Sequence, residues 1–226
     1  MQGQLQLKAY LSDETFAIDG LPLLSVQAQL PFWEGSGARR FNRYYRAYCD
    51  AFLHYCRTEL FPRATVLYRQ ALESAGAIPQ WQATLRTTVT CQSTQVLSLY
   101  TDSIESDGIS RLILRRGDTW DLRTGFPMTP ADFFPPHTPW RKELLRHAAA
   151  QITQQQAQGI ALYHPDWPTR LRRAGSPRHF YLTQEGLCFF YQMYAIAPPV
   201  EGIPTFCLPY DATHGPFPPS HFDNKS

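Results

Sequence analysis

Alternating apolar and polar positions mark several strands along the chain. The clearest alternation runs from Trp81 to Gln92, where largely apolar side chains fall on one face and polar side chains on the other. Strict alternation of this kind is typical of a half-buried strand in an antiparallel sheet. Shorter patterns predict further strands at residues 4–11, 21–30, 95–101, 109–115 and 204–209.

Apolar positions spaced three and four residues apart predict the helices. Aromatic residues recur at this spacing over residues 41–55 and form one apolar stripe. Pro62 is expected to end or kink that helix, and a second helical piece is predicted over about residues 63–75. Residues 140–158 form an amphipathic pattern that Gly159 stops.

The most aromatic stretch of the chain, residues 187–194, follows a predicted hairpin turn at residues 184–186. We interpret it as a central strand, with Leu187 and Phe189 on one face and Cys188 and Phe190 on the other. The 140–158 helix is expected to cover one of these faces. The alternative is an aromatic surface that stacks on a ligand.

Strands and helices follow one another without a regular βαβ alternation, which predicts an α+β fold of antiparallel sheets packed against a few helices. We expect an N-terminal α+β half over residues 1–92 and a C-terminal α+β domain over residues 93–210. Residues 211–226 are polar and are predicted to be a frayed tail.

Several short motifs together resemble the RsiV-like family. They are a D-x-x-T-G turn from Asp121 to Gly125, the run Asp132-Phe133-Phe134, and a hairpin of the type F-Y-L-T-x-x-G-L-x-F over residues 180–189. A Y-x-I-A-P segment over residues 194–198 and a G-I-P strand over residues 202–204 follow. The resemblance covers most of the chain. It implies an RsiV-like α+β fold and a non-enzymatic module that binds or senses a protein or a cell-wall-related ligand.

The proline-rich loop at residues 197–202 is the candidate binding site. Two prolines fix their φ angles, so the loop loses little freedom when it docks. The predicted binding residues are Tyr194, Pro198, Pro199, Glu201 and Tyr210. The alternative is a structural crossover whose prolines only prevent edge pairing. The family usually has an aromatic residue where Pro199 stands here.

Catalytic motifs are missing from the sequence. It has no G-x-S-x-G elbow, no phosphate-binding glycine loop and no H-E-x-x-H motif. We therefore predict no catalytic residue and no cofactor, and we keep a small hydrolase with an unrecognised site as the alternative function. Asp118 and Asp121 resemble a carboxylate pair, but the family resemblance implies that Asp121 caps the D-x-x-T-G turn.

Histidines and arginines supply two weaker candidates. His164 with Asp166 and His221 with Asp223 could each give two metal ligands, but no third ligand is apparent, so no metal site is predicted. The densest basic segment, at residues 167–179, is interpreted as a solvated loop rather than a nucleic-acid contact.

Composition narrows the partners and the compartment. The net charge of +2 is too small to indicate a polyanion, so a protein or glycan ligand is favoured over nucleic acid. No apolar run approaches the roughly 20 residues of a membrane helix, and no signal-peptide pattern opens the chain. Five cysteines without C-x-x-C spacing predict free thiols and a cytoplasmic location, or an extracytoplasmic one if a leader has been removed. The sequence leaves the oligomeric state open.

Overall fold

The computed structural model describes residues 6–34, 38–174 and 179–223, and over these residues the predicted α+β class is confirmed. The strands are β1 (Gln6–Ile18), β2 (Leu21–Glu34), β3 (Trp81–Gln92), β4 (Val96–Ser106), β5 (Arg111–Asp121), β6 (Phe126–Pro127), β7 (Phe180–Leu182), β8 (Gly186–Phe190) and β9 (Thr205–Pro209). The helices are α1 (Ala38–Tyr55), α2 (Phe61–Glu73), α3 (Trp140–Ala157), α4 (Trp167–Ala174) and α5 (Ser220–Asp223).

The chain divides into two compact units. Unit 1 comprises Met1–Thr87 and Thr101–Ile113, and unit 2 comprises Thr88–Tyr100 and Leu114–Ser226. Strands β3, β4 and β5 therefore contribute residues to both units. The domain boundaries at residues 92 and 210 stay a prediction.

Unit 1 begins with a long hairpin. Strands β1 and β2 pair in antiparallel fashion, and the turn between them holds Asp19 and Gly20 at φ angles of 49° and 82°. A two-residue hairpin loop of this kind needs positive φ at both positions, which Asp and Gly tolerate best. β2 then pairs in parallel with β3 over Leu24–Gln29, so the sheet is not purely antiparallel.

Helix α1 packs its aromatic stripe on β2 and buries Phe41, Tyr45 and Phe52. The Asn42 side-chain amide fixes the helix to the strand, because it accepts from the Trp33 N–H at 2.9 Å and donates to the Trp33 carbonyl at 2.8 Å. A π-helical turn over Cys56–Leu60 joins α1 to α2. The predicted distortion near Pro62 is this wider turn.

Unit 2 is built around β8, which lies between β7 and β9 in a three-stranded antiparallel sheet. One face of β8 carries Leu187 and Phe189 into a core that also contains Leu144, Ala148 and Ile152 of α3. The other face carries Cys188 and Phe190 into a smaller cluster with Tyr181. The central-strand interpretation is therefore confirmed for residues 186–190, but it is wrong for residues 191–194, because β8 ends at Phe190 and the chain then turns away from the sheet.

The three-stranded sheet lies very close to β5. A Cβ atom on Gly117 would fall 2.0 Å from the carbonyl oxygen of Phe180, so only glycine fits this crossing. The buried Ser98 hydroxyl accepts from the Leu182 N–H at 2.8 Å and shares a hydrogen bond with Thr119. These contacts position β7 within unit 2.

The prediction of five free thiols is wrong, because Cys188 and Cys207 form a disulfide. The pairing of β8 with β9 sets these two residues directly opposite each other, which brings their Cα atoms within bonding reach. Cys49, Cys56 and Cys91 are free. Burial raises the pKa of all three free thiols, so they remain protonated at neutral pH.

The disulfide leads to a direct labelling prediction. Alkylation of the unfolded, unreduced protein should modify three cysteines, and alkylation after reduction should modify all five. Replacing Cys188 and Cys207 together with alanine should lower the free energy of unfolding by about 2–4 kcal/mol, because the loop between them is no longer closed in the unfolded chain. Mass spectrometry and denaturant titration measure both quantities. Five labels without reduction would contradict the bond.

Residues 211–223, predicted as part of a polar tail, make specific contacts in unit 2. The Phe217 N–H donates to the Phe133 carbonyl at 2.7 Å, and the ring of Phe222 lies 5.1 Å from that of Phe133. The Asp223 carboxylate accepts from the Thr94 hydroxyl at 2.6 Å.

In the described part of the chain, no helix is both long and apolar enough to cross a membrane.

Candidate functional site

The predicted binding loop leaves β8 through an anchored turn. Beyond Phe190, the Gln192 side chain accepts from the Arg115 N–H at 2.9 Å and donates to the Arg115 carbonyl at 2.6 Å. The amide group thus imitates one more strand residue at the end of the sheet. Tyr194 follows with a φ of 69° and half of its side chain exposed. An L-residue held in this left-handed region costs of order 1 kcal/mol.

The loop itself is short and rigid. Pro199–Glu201 forms a single 3₁₀ turn, with Pro198 extended before it and Gly202 at a φ of 64° after it. The Glu201 carboxylate accepts from the Leu162 N–H at 2.9 Å. Two prolines, one turn of helix and this long-range hydrogen bond hold the loop in one conformation.

A second segment, residues 160–164, runs beside the loop. Its His164 N–H donates to the Ile196 carbonyl at 3.1 Å, and the Tyr163 hydroxyl donates to Gln155 of α3. Burial, and then the charge of Glu201, raise the pKa of Tyr163, which keeps this hydroxyl protonated as a donor. The segment is therefore tied both to the loop and to α3.

Four large apolar side chains on these two segments and on the turn before the loop are exposed to solvent. The exposed fractions are 66% for Ile160, 61% for Leu162, 49% for Tyr194 and 78% for Val200. We call these four residues the apolar edge. Ile160 and Leu162 could not be assigned to the site from the sequence, because the hydrogen bonds that join the two segments, Glu201–Leu162 and His164–Ile196, link residues far apart in the chain.

Tyr210 lies apart from the other predicted binding residues. It follows the carboxyl end of β9, whereas the loop precedes the amino end, and the five residues of β9 span roughly 15 Å. Its hydroxyl donates to the Thr183 carbonyl at 2.8 Å, and burial raises its pKa. Tyr210 is thus bound to the β7–β8 turn, and its predicted role in binding stays a prediction.

Tyr210 also lines an open groove of about 540 Å³ in unit 2. Arg146 and Glu143 form an ion pair of 2.7 Å on one side, and on the other side the Nδ1 atom of His214 lies 3.2 Å from the Asp211 carboxylate. Hydrogen bonds from the His214 and Thr213 N–H groups lower the pKa of Asp211. The shifted pKa values of Asp211 and Tyr210 both move away from neutrality, which is unfavourable for acid–base catalysis.

The two aspartates that were considered as metal ligands accept hydrogen bonds within the fold. Asp166 accepts from Arg170 at 2.7 Å, and Asp223 is bound by residues 93–95. Across residues 6–34, 38–174 and 179–223, no group of three or more His, Cys, Asp and Glu side chains could hold a metal ion. The basic segment was predicted as a loop, but residues 167–174 form helix α4; Arg178 lies outside the described residues.

Turn residues agree with the sequence interpretation. The Asp121 carboxylate accepts from the Arg123 and Thr124 N–H groups at 2.8 and 3.2 Å, and Gly125 has a φ of 68°. Asp132 accepts from the Thr129 N–H at 2.6 Å and so completes the capping box of the 3₁₀ turn Pro130–Phe133. The Asp121 and Asp132 carboxylates therefore stabilise the two turns by accepting backbone hydrogen bonds.

Comparison with known proteins supports a family for part of the chain. Residues 131–211 match the family described as "Protein of unknown function (DUF3298)". A crystal structure of a DUF3298 family member from Bacteroides fragilis superposes with a TM-score of 0.66 at 16% identity, covering 92% of each chain. One from Pseudomonas aeruginosa gives a TM-score of 0.59 at 17% identity, again covering 92% of each chain. No curated protein matches the chain.

Proposed function

We propose that this chain is a non-enzymatic ligand-binding or sensing module of the RsiV-like type, and that the apolar edge is where it binds. The observation that carries the proposal is the exposure of four large apolar side chains on two anchored segments. Single exposed apolar residues are ordinary on protein surfaces, but several on segments that are hydrogen-bonded to each other favour an interaction surface. Pre-organised loops lose little entropy on binding, which favours affinity.

The backbone of Tyr194 adds independent support. Its positive φ is unfavourable for stability, yet the turn keeps this aromatic side chain half exposed. Strained residues persist when the surrounding structure holds them, and they often serve a site. A half-exposed tyrosine is the kind of residue that dominates protein–protein interfaces. A protein surface, including that of a cell-wall enzyme, is therefore the favoured ligand class.

The alternative function, a small hydrolase, has less support. Its site would be the open groove beside Tyr210, which is lined by Glu143 with Arg146 and by Asp211 with His214. Asp211 is held ionised by its turn, and Tyr210 is held protonated by burial. Neither group is poised to transfer a proton near neutral pH.

We also propose an extracytoplasmic location in place of the cytoplasmic one. Stable disulfides form in oxidising compartments and are rare in the cytosol. The Cys188–Cys207 bond lies within the central sheet of unit 2, so it belongs to the folded core. Labelling of cysteines in cells that express the chain with and without an export leader tests this. Full oxidation without export would contradict the location.

The binding proposal predicts that Val200→Asp weakens binding by at least tenfold at unchanged stability, because a charge replaces an exposed apolar contact. Tyr194→Gly should weaken binding while the melting temperature stays equal or rises, because glycine removes the strain at this φ. The probes are a lysozyme and soluble peptidoglycan fragments, and titration calorimetry measures the affinity.

The matched control is Val66→Asp, which makes the same change at an exposed valine of α2 in unit 1. Affinity that falls equally in both valine variants would exclude a local contact. Wild-type protein that binds none of the probes would reject this ligand class.

A further inference from the structure

Strand β1 is a long edge strand, and on one of its two sides no strand of the described residues pairs with it. It runs for 13 residues and pairs only with β2 among the described residues, where it ends the strand order of unit 1. It contains no proline, and its one bulge lies near the hairpin turn, between Phe16 and Ala17. Proteins usually protect such edges with short strands, prolines, bulges or charged side chains, because unpaired N–H and C=O groups recruit another strand. Of these devices β1 carries the charged side chains, at Lys8, Asp13 and Glu14.

We propose that β1 is a self-association surface, on which the β1 strand of a second copy of this chain pairs in antiparallel orientation. Two copies related by a two-fold axis perpendicular to the sheet place residues equidistant from the axis opposite each other. With Leu11 on the axis, the pairs are Leu7 with Thr15, Lys8 with Glu14, Ala9 with Asp13, and Tyr10 with Ser12.

Charge complementarity selects this register. Within one copy, Lys8 forms an ion pair with Glu34 at 2.8 Å, and Glu14 forms one with Arg57 at 3.2 Å. Lys8 and Glu14 face the same side of the sheet, since they are opposite Phe32 and Val26 of β2. Pairing therefore creates a row of alternating charge: Glu34 and Lys8 of one copy, then Glu14 and Arg57 of the other. Symmetry forms this row twice.

The apolar side chain at the centre supports the same register. Leu11 is 66% exposed, and the pairing places it against Leu11 of the second copy. Moving the axis to Ser12 sets Leu11 opposite Asp13 and Lys8 opposite Phe16. Moving it to Tyr10 sets Lys8 opposite Ser12. Only the Leu11 register satisfies both the charges and the apolar centre.

A cysteine cross-link tests the register directly. Leu11→Cys, made together with Cys91→Ser, should form a covalent dimer under mild oxidation, because the two Cys side chains meet on the axis. Thr15→Cys in the same background is the matched control. Its two copies would lie eight strand positions apart, about 26 Å, which no disulfide spans.

Charge reversal tests the interface in solution by sedimentation. Wild-type mass should rise with concentration towards a dimer. Glu14→Lys should raise the dimer dissociation constant about tenfold or more. Lys8→Glu with Glu14→Lys should recover part of that loss, because the swapped pair forms again between the copies, while Glu34 and Arg57 then face like charges. Thermal melts check that each variant folds. Monomeric wild-type protein at every concentration, or equal cross-linking at positions 11 and 15, would overturn the proposal.

Discussion

Phe189→Ala is expected to lower the free energy of unfolding by about 3–5 kcal/mol. Phe189 is 6% exposed in the core of unit 2, where its ring lies 5.7 Å from that of Phe206 on the paired strand. Removing the ring loses apolar burial and leaves a cavity that flanking strands β7 and β9 cannot fill without breaking their pairing with β8. Denaturant titration measures the loss.

Phe126→Ala is the control for this prediction. It makes the same change at a ring that is 55% exposed on β6 of the same unit, so its expected cost is below about 1 kcal/mol. If the two variants unfolded at the same denaturant concentration, Phe189 would not be a core residue. The aromatic-surface interpretation of residues 187–194 would then return.

Gly117→Ala is expected to destabilise unit 2 by at least about 3 kcal/mol. The added Cβ would lie 2.0 Å from the Phe180 carbonyl oxygen and 2.7 Å from its carbon, and both are backbone atoms. A flexible side chain could rotate away, but here β7 itself must move, and with it the hydrogen bond from Leu182 to Ser98. Thermal and denaturant unfolding measure the effect.

Gly159→Ala separates this steric effect from backbone conformation. Gly159 ends α3 at a φ of 65°, and a Cβ there would meet no atom within 4 Å. Its expected cost is only the strain of an L-residue at positive φ, about 1–2 kcal/mol. A Gly117→Ala variant as stable as Gly159→Ala would mean that β5 and β7 are farther apart than the structure places them.

Local patterns explain what could be predicted from the sequence. Alternation identified β3, the aromatic spacing identified α1, and Gly159 identified the end of α3. Each of these signals lies within about 20 consecutive residues, and each rests on burial of one face of a single element. The turn at Asp121 was predictable for the same reason, since its hydrogen bonds are local.

Features that depend on pairing between distant segments could not be predicted. The disulfide needs the register of β8 against β9, and nothing in the spacing of Cys188 and Cys207 specifies that register. Helix α4 was missed for a different, local reason. It is only eight residues long and begins with Trp167-Pro168, so its sequence has the pattern of a loop. The apolar edge depends on hydrogen bonds between distant residues, Leu162 with Glu201 and His164 with Ile196.

The π-helical turn between α1 and α2 has a consequence for insertions and deletions. A single deletion within α1 would rotate every later side chain by about 100° and turn the buried stripe away from β2. A deletion within Cys56–Leu60 would instead convert the wide turn into an ordinary α-helical one. Pro62 opposes that change, because in an ordinary α-helix its ring meets the carbonyl of the residue four positions before it. The extra residue and the proline can therefore be lost only together, as a deletion accompanied by replacement of Pro62.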